Sequence, residues 1–170
     1  MSKSDNEQLA LLLAESGIRQ LYGRYADAVW RKDLAAFGDC FTADAVWKIA
    51  GMTLRGRAEI IGTFEKTLVP SKRVMMWSGV PVIEVSQGTA TGRTQVSELI
   101  KRKDGSAKRT LALYYDRFVE EGGLWRFQWH HFNLYYLGAP DLSDSYIECQ
   151  EYGPPPAMPT PDDPTSVPGR

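Results

Sequence analysis

The sequence predicts an α+β fold in which a curved, mostly antiparallel sheet wraps around a long N-terminal helix, in the order α-α-β-β-α-β-β-β-β. Three observations predict it. Apolar residues recur at helical spacing through the first thirty positions, strand-like runs separated by turns fill residues 72 to 137, and the helical patterns precede those runs instead of alternating with them. Helices grouped on one face of a bent meander leave the concave face of the sheet free to enclose a pocket.

Ile18, Leu21, Tyr22, Tyr25, Ala28 and Val29 fall at i, i+3, i+4 and i+7, the apolar stripe of a helix from about Asp5 to Arg31. Asp33 is the expected N-cap of a short second helix carrying Leu34, Phe37 and Phe41, which Thr42-Ala43-Asp44 breaks. A strand from Ala45 to Ile49 turns at Ala50-Gly51 and returns through Met52 to Arg55. The third helix, Arg57 to Leu68, presents Ile60, Ile61, Phe64 and Leu68 and ends before Pro70.

Four strands follow, near 72–85, 89–102, 107–120 and 124–137, joined by hairpin turns at Gln87-Gly88, Asp104-Gly105 and Gly122-Gly123. Pro81 cannot donate to a ladder, so its strand lies at an edge or carries a bulge there. Residues 1–140 thus form one domain. Seven of the ten prolines then crowd between Pro154 and Pro168, so residues 141–170 are expected to be a tail that acts as a lid or an interface arm, or is disordered.

Composition narrows the function. The 20 Lys+Arg against 21 Asp+Glu are scattered, which leaves no basic footprint for nucleic acid or an anionic membrane. The N-terminus is polar and no stretch approaches a membrane span, so a cytoplasmic protein is expected. Cys40 and Cys149 are far apart and read as free thiols. His130 and His131 are adjacent on a strand and point to opposite faces, so they cannot ligate one metal ion together. No phosphate loop or Gly-x-Ser-x-Gly motif occurs. A small uncharged molecule or another protein chain is the expected partner, and the residues point to neither a metal nor a nucleotide.

The most informative stretch is Trp125-Arg126-Phe127-Gln128-Trp129-His130-His131-Phe132, which interleaves aromatic rings with the only two histidines. On a half-buried strand it supplies both a binding wall and a proton carrier. Strand parity selects partners, because residues two apart share a face and so do hairpin partners. With three-residue loops at 104–106 and 121–123, Glu98 lies opposite Ala112, Tyr114 faces His130, and a carboxylate, an imidazole and a phenol share the concave face. A two-residue loop at Asp104-Gly105 favours Tyr115 instead, and a slip at the glycine pair favours His131, since a shift of one residue inverts the face. Trp30, Trp47, Met75, Met76, Trp77 and Phe132 read as pocket walls. Ile49, Ile100 and His131 complete the set of expected binding residues.

Several segments resemble the SnoaL-like branch of the cone-shaped α+β barrels, the nuclear transport factor 2-like superfamily, over residues 8 to 138. They are Ile18-Arg19-Gln20-Leu21-Tyr22-Gly23-Arg24-Tyr25 with Lys32-Asp33, Phe41-Thr42-Ala43-Asp44-Ala45-Val46-Trp47, Gly56-Arg57-Ala58-Glu59-Ile60, Tyr115-Asp116-Arg117-Phe118 and Gly123-Leu124-Trp125-Arg126. The resemblance implies a cone-shaped barrel and a chemistry of dehydration, isomerisation, cyclisation or cleavage without a cofactor, although some members are binding or structural subunits. It also implies that the dyad usual in the dehydratases is absent: their Asp position is Trp30, and their His position is Met76 or Met75. Tyr25 matches a catalytic Tyr of the bile-acid dehydratase type and Glu98 the position of its catalytic Asp, while Tyr114, His130 and Phe132 match pocket positions of scytalone dehydratase. A homodimer or homotrimer is the assembly the resemblance implies.

The expectation that follows is a cofactor-independent lyase or isomerase of the dehydratase type acting on a hydroxylated aromatic or polycyclic compound in aromatic catabolism. Glu98 and His130 would move the proton, with Tyr25 and Tyr114 binding the oxygen that gains charge. The alternatives are carbon–carbon cleavage, such as loss of formaldehyde from a lignin-derived phenolic diaryl compound, and a non-catalytic binding or subunit role.

Overall fold

The structure, a computed structural model, describes residues 4–168. Helix α1 (Asp5–Arg31) opens on a capping box in which Ser4 and Glu7 exchange side-chain and backbone hydrogen bonds, and it ends at Lys32 in a left-handed conformation. Its buried face is the stripe Ile18, Leu21, Tyr22, Tyr25, Ala28 and Val29. Helix α2 (Leu34–Gly38) is capped by the Asp33 carboxylate, which accepts from the amide of Ala36 at 2.9 Å.

Phe41 does not belong to α2. Strand β1 (Phe41–Ile49) begins there, four residues ahead of the expected start, and Thr42-Ala43-Asp44 is extended backbone. The cause is tertiary: Phe41 pairs with Phe127, whose amide donates to Cys40 at 2.8 Å and draws this segment into the sheet. β2 (Met52–Arg55) completes the first hairpin, and α3 (Arg57–Leu68) follows.

The expected strand 72–85 is two pieces, β3 (Ser71–Ser78) and β4 (Val82–Ser86). Both lie against β5 (Thr89–Arg102), and between the pairs Ser78–Val96 and Val82–Arg93 the residues Gly79, Val80 and Pro81 oppose Thr94 and Gln95. Pro81 therefore sits in an irregularity on an edge strand, where its missing donor costs nothing. Strands β6 (Ala107–Glu121) and β7 (Leu124–Gly138) complete a curved, unclosed sheet of order β2-β1-β7-β6-β5-β3. It is mixed, because β1 runs parallel to β7.

α1 and α3 pack onto the concave face. The core there is aromatic: Phe37 stacks on Phe64 at 3.6 Å, and Tyr25 meets Phe37, Phe41 and Phe127 edge-on or tilted. Cys40 is buried and Cys149 half-buried, and both are free thiols. Among the described residues no helix is long and apolar enough to cross a membrane.

The tail runs over the convex face. The amide of Ile147 donates to Tyr135, Asn133 donates to the carbonyl of Gln150, and the carbonyls of Tyr152 and Pro159 accept from Arg93 and Arg117. The chain then turns back, and Lys48, buried on that face, donates to the carbonyls of Pro161 (2.7 Å) and Asp163. Thr165 and Ser166 anchor the end on the amides of Gly51 and Leu134, which brings Pro168 to the rim of the concave cavity.

Candidate active site

A cavity of about 290 Å³ lies between α1, α3 and the concave face of the sheet. Tyr25 and Val29 of α1 enter it from one side, and Phe64 and Leu68 of α3 from another. Trp47 and Ile49 of β1, with Phe132 and Leu134 of β7, form an apolar wall. Glu98, Ile100 and Arg102 line it from β5, and Thr110 and Tyr114 from β6.

Which side chains reach this cavity depends on register. Glu98 pairs with Thr110, two residues from the expected Ala112, so parity is kept and Glu98 still faces inward. On the other side, Gly122-Gly123 is a two-residue turn, the slip that would have turned His131 inward. A bulge corrects it. Between the pairs Phe118–Phe127 and Arg117–Trp129, Gln128 is an extra residue on β7, so inward parity returns and His130 faces the core. Tyr114 then pairs with Phe132, not His130.

Glu98 is the one carboxyl group among the described residues lining the cavity. Desolvation among apolar walls pushes it up to about 7, against a smaller opposing effect of the Thr110 hydroxyl. Near it the hydroxyls of Tyr25 and Tyr114 lie 3.4 Å apart. Burial raises both phenols well above their ordinary range, so both hold their protons near neutral pH.

His130 is not on the cavity wall. It is fully buried behind the tyrosine pair, with the Tyr114 ring stacked on it at 4.0 Å and Phe127 at 4.5 Å. Its Nδ1–H donates to Oδ1 of Asp116, directly opposite on β6, and Tyr22 donates its hydroxyl to the other oxygen of that carboxylate. The expectation that His130 would share the pocket with Glu98 is therefore corrected: a local acceptor and an aromatic cage hold it one layer deeper. A histidine–aspartate pair does exist, on residues the sequence reading did not join. Asp116 shares its strand face with Tyr114 two residues before it, and Tyr22 lies one helical turn from Tyr25, so parity and helical spacing together contained the signal.

Four expected lining residues lie elsewhere. Trp30 is 41% exposed under the Arg73 guanidinium, and Met75 and Trp77 are 40% and 48% exposed, because all three fall on the outward faces of their elements. His131 faces the convex side beside Lys48 and under the tail. Its ring nitrogens have no partner among the described residues, and desolvation lowers it to about 4, helped by the Lys48 charge. Met76 points inward and packs against the core beside the lining residues. Trp47, Ile49, Ile100 and Phe132 are on the wall. Among the described residues no three His, Cys, Asp or Glu side chains are placed to hold a metal ion.

Comparison with known proteins agrees with this architecture. The chain is similar to a scytalone dehydratase-like protein of Novosphingobium aromaticivorans, with 17% identity and a TM-score of 0.71 over 79% of this chain and 96% of that one. It is similar to a type 2 hexachlorocyclohexane dehydrochlorinase, LinA, with 20% identity and a TM-score of 0.69 over 90% and 99%. A Mycobacterium tuberculosis protein of unknown function, Rv3472, is 24% identical with a TM-score of 0.64 over 69% of this chain and 74% of that one. These likenesses are of fold. None of the curated proteins matches the chain. The model of the SnoaL-like domain matches residues 10–130, from α1 into β7, and the chain belongs to the SnoaL-like family.

Proposed function

We propose that the protein is a cofactor-independent acid–base lyase of the dehydratase type, acting on a hydroxylated aryl or polycyclic compound in the cavity between α1, α3 and the sheet. The observation that carries this reading is the placement of Glu98, lifted to about 7, on an apolar wall beside the paired hydroxyls of Tyr25 and Tyr114. A group poised there takes a proton as carboxylate and returns it as acid at the same pH.

In the loss of water from a β-hydroxy ketone, the Glu98 carboxylate takes the proton from the carbon beside the carbonyl. The C–H electron pair moves into an enolate, whose oxygen accepts hydrogen bonds from Tyr25 and Tyr114. The carbonyl re-forms, the carbon–carbon double bond closes, and the C–O bond breaks with its electron pair on oxygen. That oxygen receives the proton from Glu98 and leaves as water. Two of the similar structures, a dehydratase-like protein and a dehydrochlorinase, bear the names of elimination enzymes and support this class.

The test is a panel of β-hydroxy aryl ketones, followed by the absorbance of the conjugated product. Glu98→Gln should lower the rate at least ~100-fold. A rate unchanged by that substitution sinks the role of Glu98, and tight binding of the panel without turnover supports a binding protein instead.

A further inference from the structure

We propose that the cavity selects aryl substrates carrying a carboxylate at the end remote from the reacting carbon, and that Arg102 receives it. The inference rests on the acid–base reading above and names the substrate class of that same site.

Glu98, Ile100 and Arg102 alternate along β5, so all three project onto the concave face, and all three line the cavity. Four residues of strand set the acid and the guanidinium apart by about 13 Å along the backbone. Ser71, the ladder partner of Arg102, is buried and also lines the cavity, and its carbonyl accepts from the ammonium of Lys32. One end of the cavity thus holds the carboxyl and the tyrosine hydroxyls, while the other holds the Arg102 guanidinium, with the Lys32 ammonium bound to the backbone of its ladder partner Ser71.

Of the other half-buried arginines, Arg24, Arg57, Arg93, Arg117 and Arg126 give donors to a backbone carbonyl, those of Trp125, Phe41, Tyr152, Pro159 and Glu121. Arg109 makes no such bond either, but it does not line the cavity. The Arg102 side chain, also half-buried, makes no hydrogen bond or ion pair among the described residues. Asp104 feels its charge, but that carboxylate is held by the amide and hydroxyl of Ser106 at 2.9 and 2.7 Å. A planar fork of free donors on a largely apolar wall matches a carboxylate in two-point contact. Bound there, the anion is kept away from Glu98 and the aryl body is laid along the cavity, which fixes which carbon reaches the acid.

The test is calorimetric titration of the full chain with biphenyl-4-carboxylate and with the neutral biphenyl-4-carboxamide. The wild type should bind the carboxylate about tenfold or more tighter than the amide. Arg102→Gln should lose that preference while still binding the amide as the wild type does, which shows that its cavity is intact, and Arg102→Lys should keep part of it. Equal binding of the two ligands by the wild type, or a preference that survives in Arg102→Gln, overturns the inference and leaves the acid–base reading standing. Failure of both ligands to bind overturns the aryl cavity and this inference together.

Discussion

Asp116 and His130 stand directly opposite each other on β6 and β7, with the carboxylate on Nδ1 of the ring, and neither touches the cavity. The second carboxylate oxygen accepts from Tyr22, so one buried acid ties α1 to two central strands. Tyr114 lies on the imidazole at 4.0 Å and carries its hydroxyl to within 3.4 Å of that of Tyr25. The hydroxyl pair at the site is thus positioned by a network one layer behind it.

Replacing Asp116 by Leu leaves two buried donors, on Tyr22 and His130, without an acceptor. Each unsatisfied group costs about 1–3 kcal/mol, so a loss of about 2–6 kcal/mol is expected. The urea midpoint measures it. Tyr22→Phe removes one donor and leaves the carboxylate in contact with His130, so its loss should be the smaller of the two. A midpoint unmoved in Asp116→Leu would show that the network does not hold α1 to the sheet.

Glu98 and His131 make opposite contributions to stability against pH. The Glu98 carboxyl is raised from 4.5 to about 7, so between those values the folded state holds a proton that the unfolded chain releases, and stability falls as pH rises. His131 is lowered from 6.5 to about 4, so there the unfolded chain binds a proton that the folded state refuses, and stability rises with pH. Each effect is on the order of 3 kcal/mol across its window, and they oppose each other between pH 4.5 and 6.5. Thermal melts of Glu98→Gln should show a midpoint that climbs with pH through this range, and those of His131→Phe a midpoint that falls. Two variants with the same slope would contradict this account.

Lys48 is buried on the convex face and donates to two carbonyls of the tail. Hydrogen bonds to a charged group are worth about 1.5–3 kcal/mol each, so Lys48→Met should loosen residues 159–168 while leaving the sheet and its helices folded. Limited proteolysis should then cut the tail about tenfold faster or more, with the global melting temperature shifted far less. Equal cleavage rates would show that Thr165 and Ser166 hold the segment without it.

The elements were legible because their signals are local. The stripe from Ile18 to Val29, the Asp33 cap, the stop at Pro70 and the three glycine turns place most helix and strand ends within a residue or two. The apolar spacing of Phe41 suits a helix equally well, and only its pairing with Phe127 makes it a strand residue. Glu98 and Tyr114 could be grouped from parity alone, since alternation survives a shift of two residues, while Tyr25, on α1, joins them only through the family resemblance.

The amino-acid order by itself determined the α+β layering, the inward parity of Glu98 and the apolar, aromatic character of the pocket, because these follow from periods of 3.6 and 2 along short stretches of chain. Tertiary structure alone decided that Gln128 bulges out of β7. Without that extra residue the two-residue turn at Gly122-Gly123 would have put His131 inside in place of His130. It also decided that His130 belongs to Asp116, that Arg102 is left with free donors, and that the tail folds back onto Lys48. The physical reason is the same in each case: a single inserted residue or one buried acceptor is selected by packing between segments far apart in sequence, and no local pattern encodes the free energy of that choice.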